Sequence, residues 1–202
     1  MVRFFVATTN TGKLRDFAAA SAGAEIELAP LPGLHEIPPP AEDEATFEGN
    51  ARVKALFYSQ FAPGALVLAD DSGLEVDALR GAPGVRSARY AEDAGYGTAA
   101  LTLDERNNLC LAEALRDVPE PHRRARYRCV LVAARDGAVV AVGTGTVEGR
   151  IAATASGSGG FGYDPWFVPD GEERSMAALE PAVRLRLSHR GRALADLLAK
   201  WA

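Results

Sequence analysis

The sequence predicts an α/β domain whose central sheet is mixed. Residues 2–8 form an apolar run with strand character, and a helical pattern follows after a polar turn. Residues 126–135 and 138–147 alternate in polarity around Asp136-Gly137, a dipeptide that strongly favours a tight hairpin. The hairpin supplies at least one antiparallel pair, so the sheet is not purely parallel.

Composition limits the class of protein. The 202 residues are 48% hydrophobic, which is enough to bury a full core in one globular domain, residues 1–202. No apolar run approaches the about 20 residues of a membrane span, so we expect a cytoplasmic protein without a membrane partner. A net charge of −5 argues against a general nucleic-acid binder. Cys110 and Cys129 have no paired spacing, and we expect both to be buried apolar residues.

The first helix begins at a polar turn, residues 8–13. Free N–H groups and the helix dipole make such a junction suitable for an anion, and Lys13 adds a positive charge. An ordinary capped helix is an equally good interpretation.

An acidic cluster, residues 42–44, precedes a second amphipathic helix over residues 46–61. Acids near a helix N-terminus usually interact with its dipole. Glu42 is alternatively a metal carboxylate that faces Asp71.

A third apolar run, residues 66–69, predicts a short buried strand, and Asp70-Asp71-Ser72-Gly73 predicts a sharp turn at its end. Two carboxylates at the end of a strand are suited to hold a hard metal ion. The alternative is that both aspartates only cap the turn.

Two later segments also carry candidate chemistry. Residues 156–165 are glycine-rich, and Phe161 or Tyr163 could stack on a flat ring. The alternative is a flexible surface loop, although exposed aromatic residues within a glycine run argue against it. Ser188 is a natural N-cap, which puts His189 and Arg190 in a first helical turn where positive charge is unfavourable. We therefore expect these two side chains to face a partner.

The motifs together resemble, in order and over almost the whole chain, those of the inosine triphosphate pyrophosphatase family, also called dITP/XTP pyrophosphatases. They are residues 8–13, Glu42, Thr46-Phe47, Asn50-Ala51, Lys54-Ala55, residues 69–74, residues 81–84, residues 87–90, residues 161–165 and residues 188–191.

The resemblance implies a homodimeric, Mg²⁺-dependent enzyme with an elongated mixed sheet flanked by helices and two lobes. The nucleotide is expected in the cleft between the lobes. The implied reaction converts dITP, ITP and XTP to the monophosphate and pyrophosphate, which removes deaminated purines from the nucleotide pool.

The resemblance also implies residue roles. Asp71 is the expected general base and a metal ligand, together with Glu42 and Asp70. Asn10, Lys13 and Lys54 are expected to meet the triphosphate. Ser72, Phe161, Gly162, Tyr163, Asp164, His189 and Arg190 are expected to meet the nucleoside end. Further expected substrate contacts are Thr8, Thr9, Thr11, Gly12 and Arg184.

The sequence departs from the family pattern in three places. Gly49 stands where the family commonly has glutamate, with Glu48 as a possible substitute, and Arg184 replaces a lysine. Residues 93–103 look longer than usual. Two other classes stay open: a related Maf-like nucleotide pyrophosphatase, and a regulatory protein that binds nucleotides without turnover.

Overall fold

The computed structural model describes residues 1–97 and 100–201, which contain a six-stranded sheet in the order β2-β1-β3-β4-β5-β6. The strands are β1 Val2–Val6, β2 Ile26–Pro30, β3 Leu66–Val76, β4 Arg124–Arg135, β5 Ala138–Ile151 and β6 Phe167–Pro169. The helices are α1 Thr11–Ala20, α2 Phe47–Ser59, α3 Tyr90–Asp93, α4 Leu103–Ala114, α5 Pro181–Arg186 and α6 His189–Trp201. Single 3₁₀ turns cover Leu34–Glu36, Asp77–Leu79, Gly84–Arg89, Glu120–His122 and Met176–Ala178.

The predicted mixed sheet is confirmed. Strand β1 pairs in parallel with both β2 and β3, whereas β5 pairs antiparallel with β6. The predicted hairpin dipeptide lies between β4 and β5, with Asp136 and Gly137 both at positive φ. Asp136 also accepts a hydrogen bond from the Gly64 N–H at 2.7 Å, which ties the hairpin to the loop before β3.

The predicted turn at Asp70-Asp71-Ser72-Gly73 is wrong, because β3 runs without a break from Leu66 to Val76. Leu74 and Val76 are fully buried, and burial outweighs the low strand propensity of the polar residues before them. Gly73 serves close packing, since a Cβ at this position would lie 2.4 Å from Ser87 Oγ. The two aspartates therefore lie inside a strand.

The contacts group the chain into two compact units. Unit 1 comprises Met1–Asp71, Cys129–Thr146 and Ser188–Ala202, and unit 2 comprises Ser72–Arg128 and Val147–Leu187. Three of the four boundaries fall inside strands β3, β4 and β5, and the fourth lies between α5 and α6. The expectation of one domain with two lobes and a cleft between them stays a prediction.

Each unit has its own apolar core. The core of unit 1 includes Phe4, Phe17, Leu68, Leu131, Leu194 and Leu197. The core of unit 2 includes Leu74, Leu111, Leu115, Ile151, Phe167 and Met176. Cys110 and Cys129 are buried free thiols, as predicted.

Helix α6 packs directly on the backbone of β5 within unit 1. A Cβ at Gly145 would lie 2.0 Å from the His189 carbonyl oxygen, and one at Gly143 would lie 2.2 Å from the Ala193 carbonyl oxygen. Only glycine permits this approach. The strand thus fixes the start of α6, where His189 and Arg190 lie.

No helix within the described residues combines the length and the apolar character that crossing a bilayer requires.

Candidate active site

A polar cluster forms where the part of β3 that belongs to unit 1 meets helix α2. Asn50 and Lys54 lie four residues apart and therefore on one face of α2. Asn50 Nδ2 donates to Asp71 Oδ2 at 3.0 Å, and Lys54 Nζ lies 3.6 Å from Asp71 Oδ1. The same ammonium lies 2.7 Å from Glu42 Oε2. We call Glu42, Asn50, Lys54 and Asp71 the Lys54 cluster.

Burial and charge act in opposite directions on the Lys54 cluster. Burial lowers the pKa of Lys54, but the carboxylates of Asp71, Asp70 and Glu42 outweigh it, and the pKa lies above its ordinary value. Burial also raises the pKa of Asp71 above that of an ordinary carboxyl, although Lys54 and Asn50 oppose the rise. A carboxylate with a raised pKa is a stronger base, which suits Asp71 for taking a proton from water.

Asp70 forms a separate ion pair with a different lysine. Its Oδ2 lies 2.8 Å from Lys13 Nζ, and its side chain is almost completely buried. Burial alone would raise the pKa of Asp70, but the charges of Lys13, Arg190 and Lys54 hold it well below the ordinary value. Asp70 therefore stays ionised and fixes the ammonium of Lys13.

The turn before α1 has the geometry of a capped helix. Asn10 is the N-cap, and its Oδ1 accepts the Lys13 N–H at 3.0 Å. The Asn10 N–H donates to Thr8 Oγ1 at 3.2 Å. Thr9, Asn10 and Thr11 are exposed while Gly12 is buried. The capped-helix interpretation is therefore correct, and it leaves an exposed helix start beside Lys13 for an anion.

The positive charge at the start of α6 is compensated by an ion pair that the sequence did not reveal. Ser188 Oγ accepts the Gly191 N–H at 3.2 Å, as expected for an N-cap. Arg190 is buried, and its Nη1 lies 3.0 Å from Asp16 Oδ2 on α1. Asp16 is thus a partner of the charge that was unfavourable to the helix dipole.

His189 is buried beside Arg190. Burial and the neighbouring guanidinium hold the pKa of His189 well below its usual value. The imidazole is therefore neutral at pH 7, and it carries one N–H donor and one acceptor nitrogen.

The substrate-contact candidates Ser72, residues 161–164 and Arg184 lie in unit 2. Asp164 accepts hydrogen bonds from Tyr127 Oη at 3.0 Å and from the Phe161 N–H at 3.1 Å. Tyr163 is buried and donates from its hydroxyl to the Ser87 carbonyl at 2.7 Å. Of the two aromatic candidates, Phe161 is the more exposed, and Tyr163 belongs to the core of unit 2.

The glycine-rich loop is held by polar contacts within unit 2. The Gly162 N–H donates to Asp104 Oδ2 at 2.7 Å, and Asn108 Nδ2 donates to the Gly162 carbonyl at 2.9 Å. A Cβ at Gly159 would lie 2.3 Å from Arg184 Nη1, so the guanidinium lies against the loop backbone. The interpretation of this segment as a flexible loop is not supported.

The predicted residues therefore form two groups. Unit 1 brings together its basic and acidic candidates, which are Lys13, Glu42, Lys54, Asp70, Asp71 and Arg190. From sequence, Asn50 was named within a motif but given no role, and Asp16 was not identified. The four-residue spacing between Asn50 and Lys54 could have identified Asn50, since it places both on one face of the helix.

The departures from the family pattern have local structural consequences. Glu48 does not take the place of a glutamate at position 49, because its Oε1 lies 2.7 Å from Arg52 Nε and the side chain is about half exposed, at 48%. The side chain that lies against Gly49 is that of Glu44. The region expected to be longer, residues 93–103, includes residues 98 and 99, which lie outside the described part of the chain.

The arrangement of the carboxylates bears on metal binding. Within residues 1–97 and 100–201, no group of three or more His, Cys, Asp or Glu side chains is arranged to hold a metal ion. Glu42 and Asp71 nevertheless contact the same ammonium, and Mg²⁺ is commonly held by one or two carboxylates together with substrate phosphates. The two carboxylates fit that mode of binding.

Comparison with known proteins identifies the family. The Ham1 family model matches residues 4–200. The chain is 54% identical to a dITP/XTP pyrophosphatase of Acidobacterium capsulatum over 97% of this chain and 96% of that protein. It is 43% identical to a dITP/XTP pyrophosphatase of an Anaeromyxobacter species over 92% of this chain and 90% of that protein.

Solved structures agree with the sequence comparison. A HAM1 protein from Coxiella burnetii superposes with a TM-score of 0.82 at 35% identity and covers 98% of both chains. A nucleoside-triphosphatase and dITP/XTP pyrophosphatase from Mycobacterium abscessus gives a TM-score of 0.73 at 37% identity over 98% of this chain and 99% of that one. With the match to the family model over nearly its whole length, the chain belongs to the Ham1 family.

Proposed function

We propose that this protein hydrolyses dITP, ITP and XTP to the nucleoside monophosphate and pyrophosphate. The full-length similarity to proteins named dITP/XTP pyrophosphatase supports this substrate class. The observation that carries the proposal is the buried Asp71, which lies between Asn50 and Lys54. Its neighbour in sequence, Asp70, forms an ion pair with a second lysine, Lys13. One base and two ammonium groups are the parts that attack on a phosphate requires.

In the proposed reaction, Asp71 takes a proton from a water molecule that attacks the α-phosphorus. The bond between the α-phosphorus and its bridging oxygen breaks, and the electron pair leaves with pyrophosphate. Lys13 and Lys54 neutralise phosphate oxygens as charge develops in the transition state. The N–H groups at the start of α1 offer a further anion site.

Mg²⁺ is the proposed cofactor, with Glu42 and Asp71 as its protein ligands. When bound, Mg²⁺ neutralises phosphate oxygens and orients the displacement. Asp70 was expected as a third ligand, and its pair with Lys13 supports a different role, the positioning of that lysine.

Recognition of the base is proposed to depend on hydrogen-bond donors. The 6-keto oxygen of hypoxanthine or xanthine accepts hydrogen bonds, which His189, Arg190 or backbone N–H groups can donate. The 6-amino group of adenine would face those donors with another donor. Unpaired buried groups of this kind give discrimination of about 10⁴-fold or more. Ser72 and Phe161 are further proposed contacts, whereas the hydrogen bonds of Asp164 favour a role in holding the loop.

A homodimer in the cytoplasm is the proposed setting, by the same family resemblance.

The test is pyrophosphate release from dITP, ITP, XTP, ATP and GTP, with and without Mg²⁺. We expect fast Mg²⁺-dependent release from dITP, ITP and XTP, and slow release from ATP, which lacks the 6-keto oxygen. Guanine has this oxygen, so the expected slow release from GTP requires a further clash with its 2-amino group. Asp71→Asn removes the base and should lower kcat by about 10²- to 10⁴-fold. The matched control is Asp43→Asn, because Asp43 is an exposed member of the acidic segment and should keep parental activity.

Other results would change the assignment. Turnover of pyrimidine or modified nucleotides in place of dITP and XTP would favour the Maf-like class. Tight binding of dITP or XTP without turnover would favour a regulatory protein. Full activity of Asp71→Asn would remove Asp71 from its proposed role.

A further inference from the structure

We propose that Asn50 is a positioning residue for Asp71, and that Gly49 and Glu44 form the matched contact that keeps Asn50 in place. The proposal deepens the proposed function, since it concerns the same site. It rests on three geometric observations within unit 1: the two hydrogen bonds of the Asn50 amide, the burial of Asn50, and the space beside Gly49.

The Asn50 amide has one orientation that satisfies its neighbours. Its Oδ1 accepts the backbone N–H of Glu44 at 3.0 Å, and its Nδ2 donates to Asp71 Oδ2 at 3.0 Å. A reversed amide would direct oxygen at a carboxylate and NH₂ at an N–H donor. Asn50 is only 1% exposed, so water cannot easily replace either bond. Asn50 thus links the segment before α2 to the proposed base.

Gly49 allows this segment to approach the first turn of α2. A Cβ at Gly49 would lie 2.7 Å from Glu44 Cβ and 3.0 Å from Glu44 Cγ. Rotation about the Cα–Cβ bond can move Cγ, but Cβ is fixed by the Glu44 backbone and cannot swing away. Any side chain at position 49 would therefore displace the Glu44 backbone, and with it the N–H that holds Asn50.

The same segment carries Glu42, whose carboxylate contacts Lys54. A displacement of residues 42–46 would disturb both ends of the Lys54 cluster at once. Glycine at position 49 and glutamate at position 44 are thus a compatible pair, and this gives the departure at Gly49 a structural reason. Catalytic geometry is sensitive to such shifts, since a misplacement of about 1 Å can cost about 10²-fold in rate.

The experiment compares Gly49→Ala, Glu44→Gly and the double variant, with Arg52→Ala as the control. Arg52 is on the same helix, but its side chain is exposed and pairs with Glu48. We expect Gly49→Ala to lower kcat at least about tenfold with little change in KM, because the affected group acts in the chemical step. Glu44→Gly in the double variant frees the space and should restore most of kcat, which is a strongly non-additive result.

A thermal melt separates this effect from a general loss of stability. Alanine is a better helix former than glycine, so the helix propensity of α2 itself rises in Gly49→Ala. If Gly49→Ala nevertheless unfolds, Asn50→Asp serves instead. It keeps an acceptor for the Glu44 N–H and removes the donor to Asp71, and we expect a large loss of kcat.

A second measurement does not depend on turnover. In the ¹⁵N-labelled parent protein, the side-chain NH₂ hydrogens of Asn50 should exchange slowly with solvent. They should exchange rapidly in Gly49→Ala and slowly again in the double variant. This readout keeps the inference testable if the parent protein fails to hydrolyse dITP or XTP. The inference is overturned if Gly49→Ala keeps both parental kcat and slow exchange, if the double variant is no better than Gly49→Ala, or if a folded Asn50→Asp has parental kcat.

Discussion

The pKa of a buried charged residue in unit 1 depends on which oppositely charged side chain lies near it. Asp70 and Asp71 are adjacent and both buried, yet the pKa of Asp70 lies below its ordinary value and that of Asp71 lies above it. Asp70 has Lys13 at 2.8 Å, whereas Asp71 lies 3.6 Å from a lysine that also pairs with Glu42. Successive side chains of a strand point to opposite faces, so these two neighbouring carboxylates meet different lysines and have different pKa values.

The buried His189 predicts a loss of stability in mild acid. Its folded-state pKa is well below its ordinary value, so below about pH 6.5 the unfolded chain takes up a proton that the folded protein does not. Unfolding is therefore favoured as the pH falls, by up to about 1.4 kcal/mol per pH unit from this group. We expect the melting temperature to decrease from pH 7 to pH 5, and this decrease to be smaller in His189→Gln.

His122→Gln is the control, because His122 is exposed. Its melting temperature should follow the parental pH dependence. An equal pH dependence in the parent and in His189→Gln would contradict the assignment of a neutral buried imidazole.

Most residues of the candidate site could be predicted, because they occur in short motifs of the chain. The charged residues of the Lys54 cluster and Lys13 were all named from sequence. Asp16 could not be, since its partner Arg190 is 174 positions away and an aspartate on the face of α1 has no distinctive pattern. Whether a carboxylate binds a metal or a lysine also depends on three-dimensional distances, and Asp70 illustrates this.

Elements were predictable where a local rule and burial agree. The Asp136-Gly137 hairpin and helix α2 follow from turn chemistry and helical periodicity, and both are present. The strand β3 was predicted to end at Ala69 because Asp, Ser and Gly favour turns. Its continuation depends on the contacts of Leu74 and Gly73 with Ser87, and no local pattern encodes these.

Because α6 packs closely on β5, we predict that replacing Gly145 with a larger residue strongly destabilises the protein. A Cβ at Gly145 would lie 2.0 Å from the His189 carbonyl oxygen and 2.5 Å from the Ala193 nitrogen, and both are backbone atoms. Gly145→Ala should therefore force α6 off the strand and cost at least about 2 to 3 kcal/mol. Chemical denaturation would measure the free energy of unfolding.

Val140→Ala is the control on the same strand, because Val140 is 42% exposed. Its cost should stay below about 1 kcal/mol. Equal costs for the two variants would show that the approach of α6 to β5 does not limit stability.

The whole molecule is divided by contacts into two units, but three strands pass through the division. If one unit unfolded alone, strands β3, β4 and β5 would each have to break within their length. We therefore expect one cooperative unfolding transition in spite of two separate cores.

Matched core variants test this cooperativity. Leu131 in unit 1 and Leu111 in unit 2 are both fully buried, and either change to alanine should cost about 2 to 5 kcal/mol. Differential scanning calorimetry should show a single peak at a lower temperature in each variant, with equal calorimetric and van't Hoff enthalpies. A peak that splits in either variant would contradict cooperative unfolding.

The position of α6 in the core of unit 1 has a consequence for biosynthesis. Leu194 and Leu197 complete the core that contains Phe4, yet the ribosome makes them nearly last among the residues of this unit. At about 5 to 20 residues per second, roughly 10 to 40 seconds separate the synthesis of Phe4 from that of Leu194. During this interval the nascent chain holds an incomplete core with exposed apolar side chains, which is the kind of surface that chaperones cover.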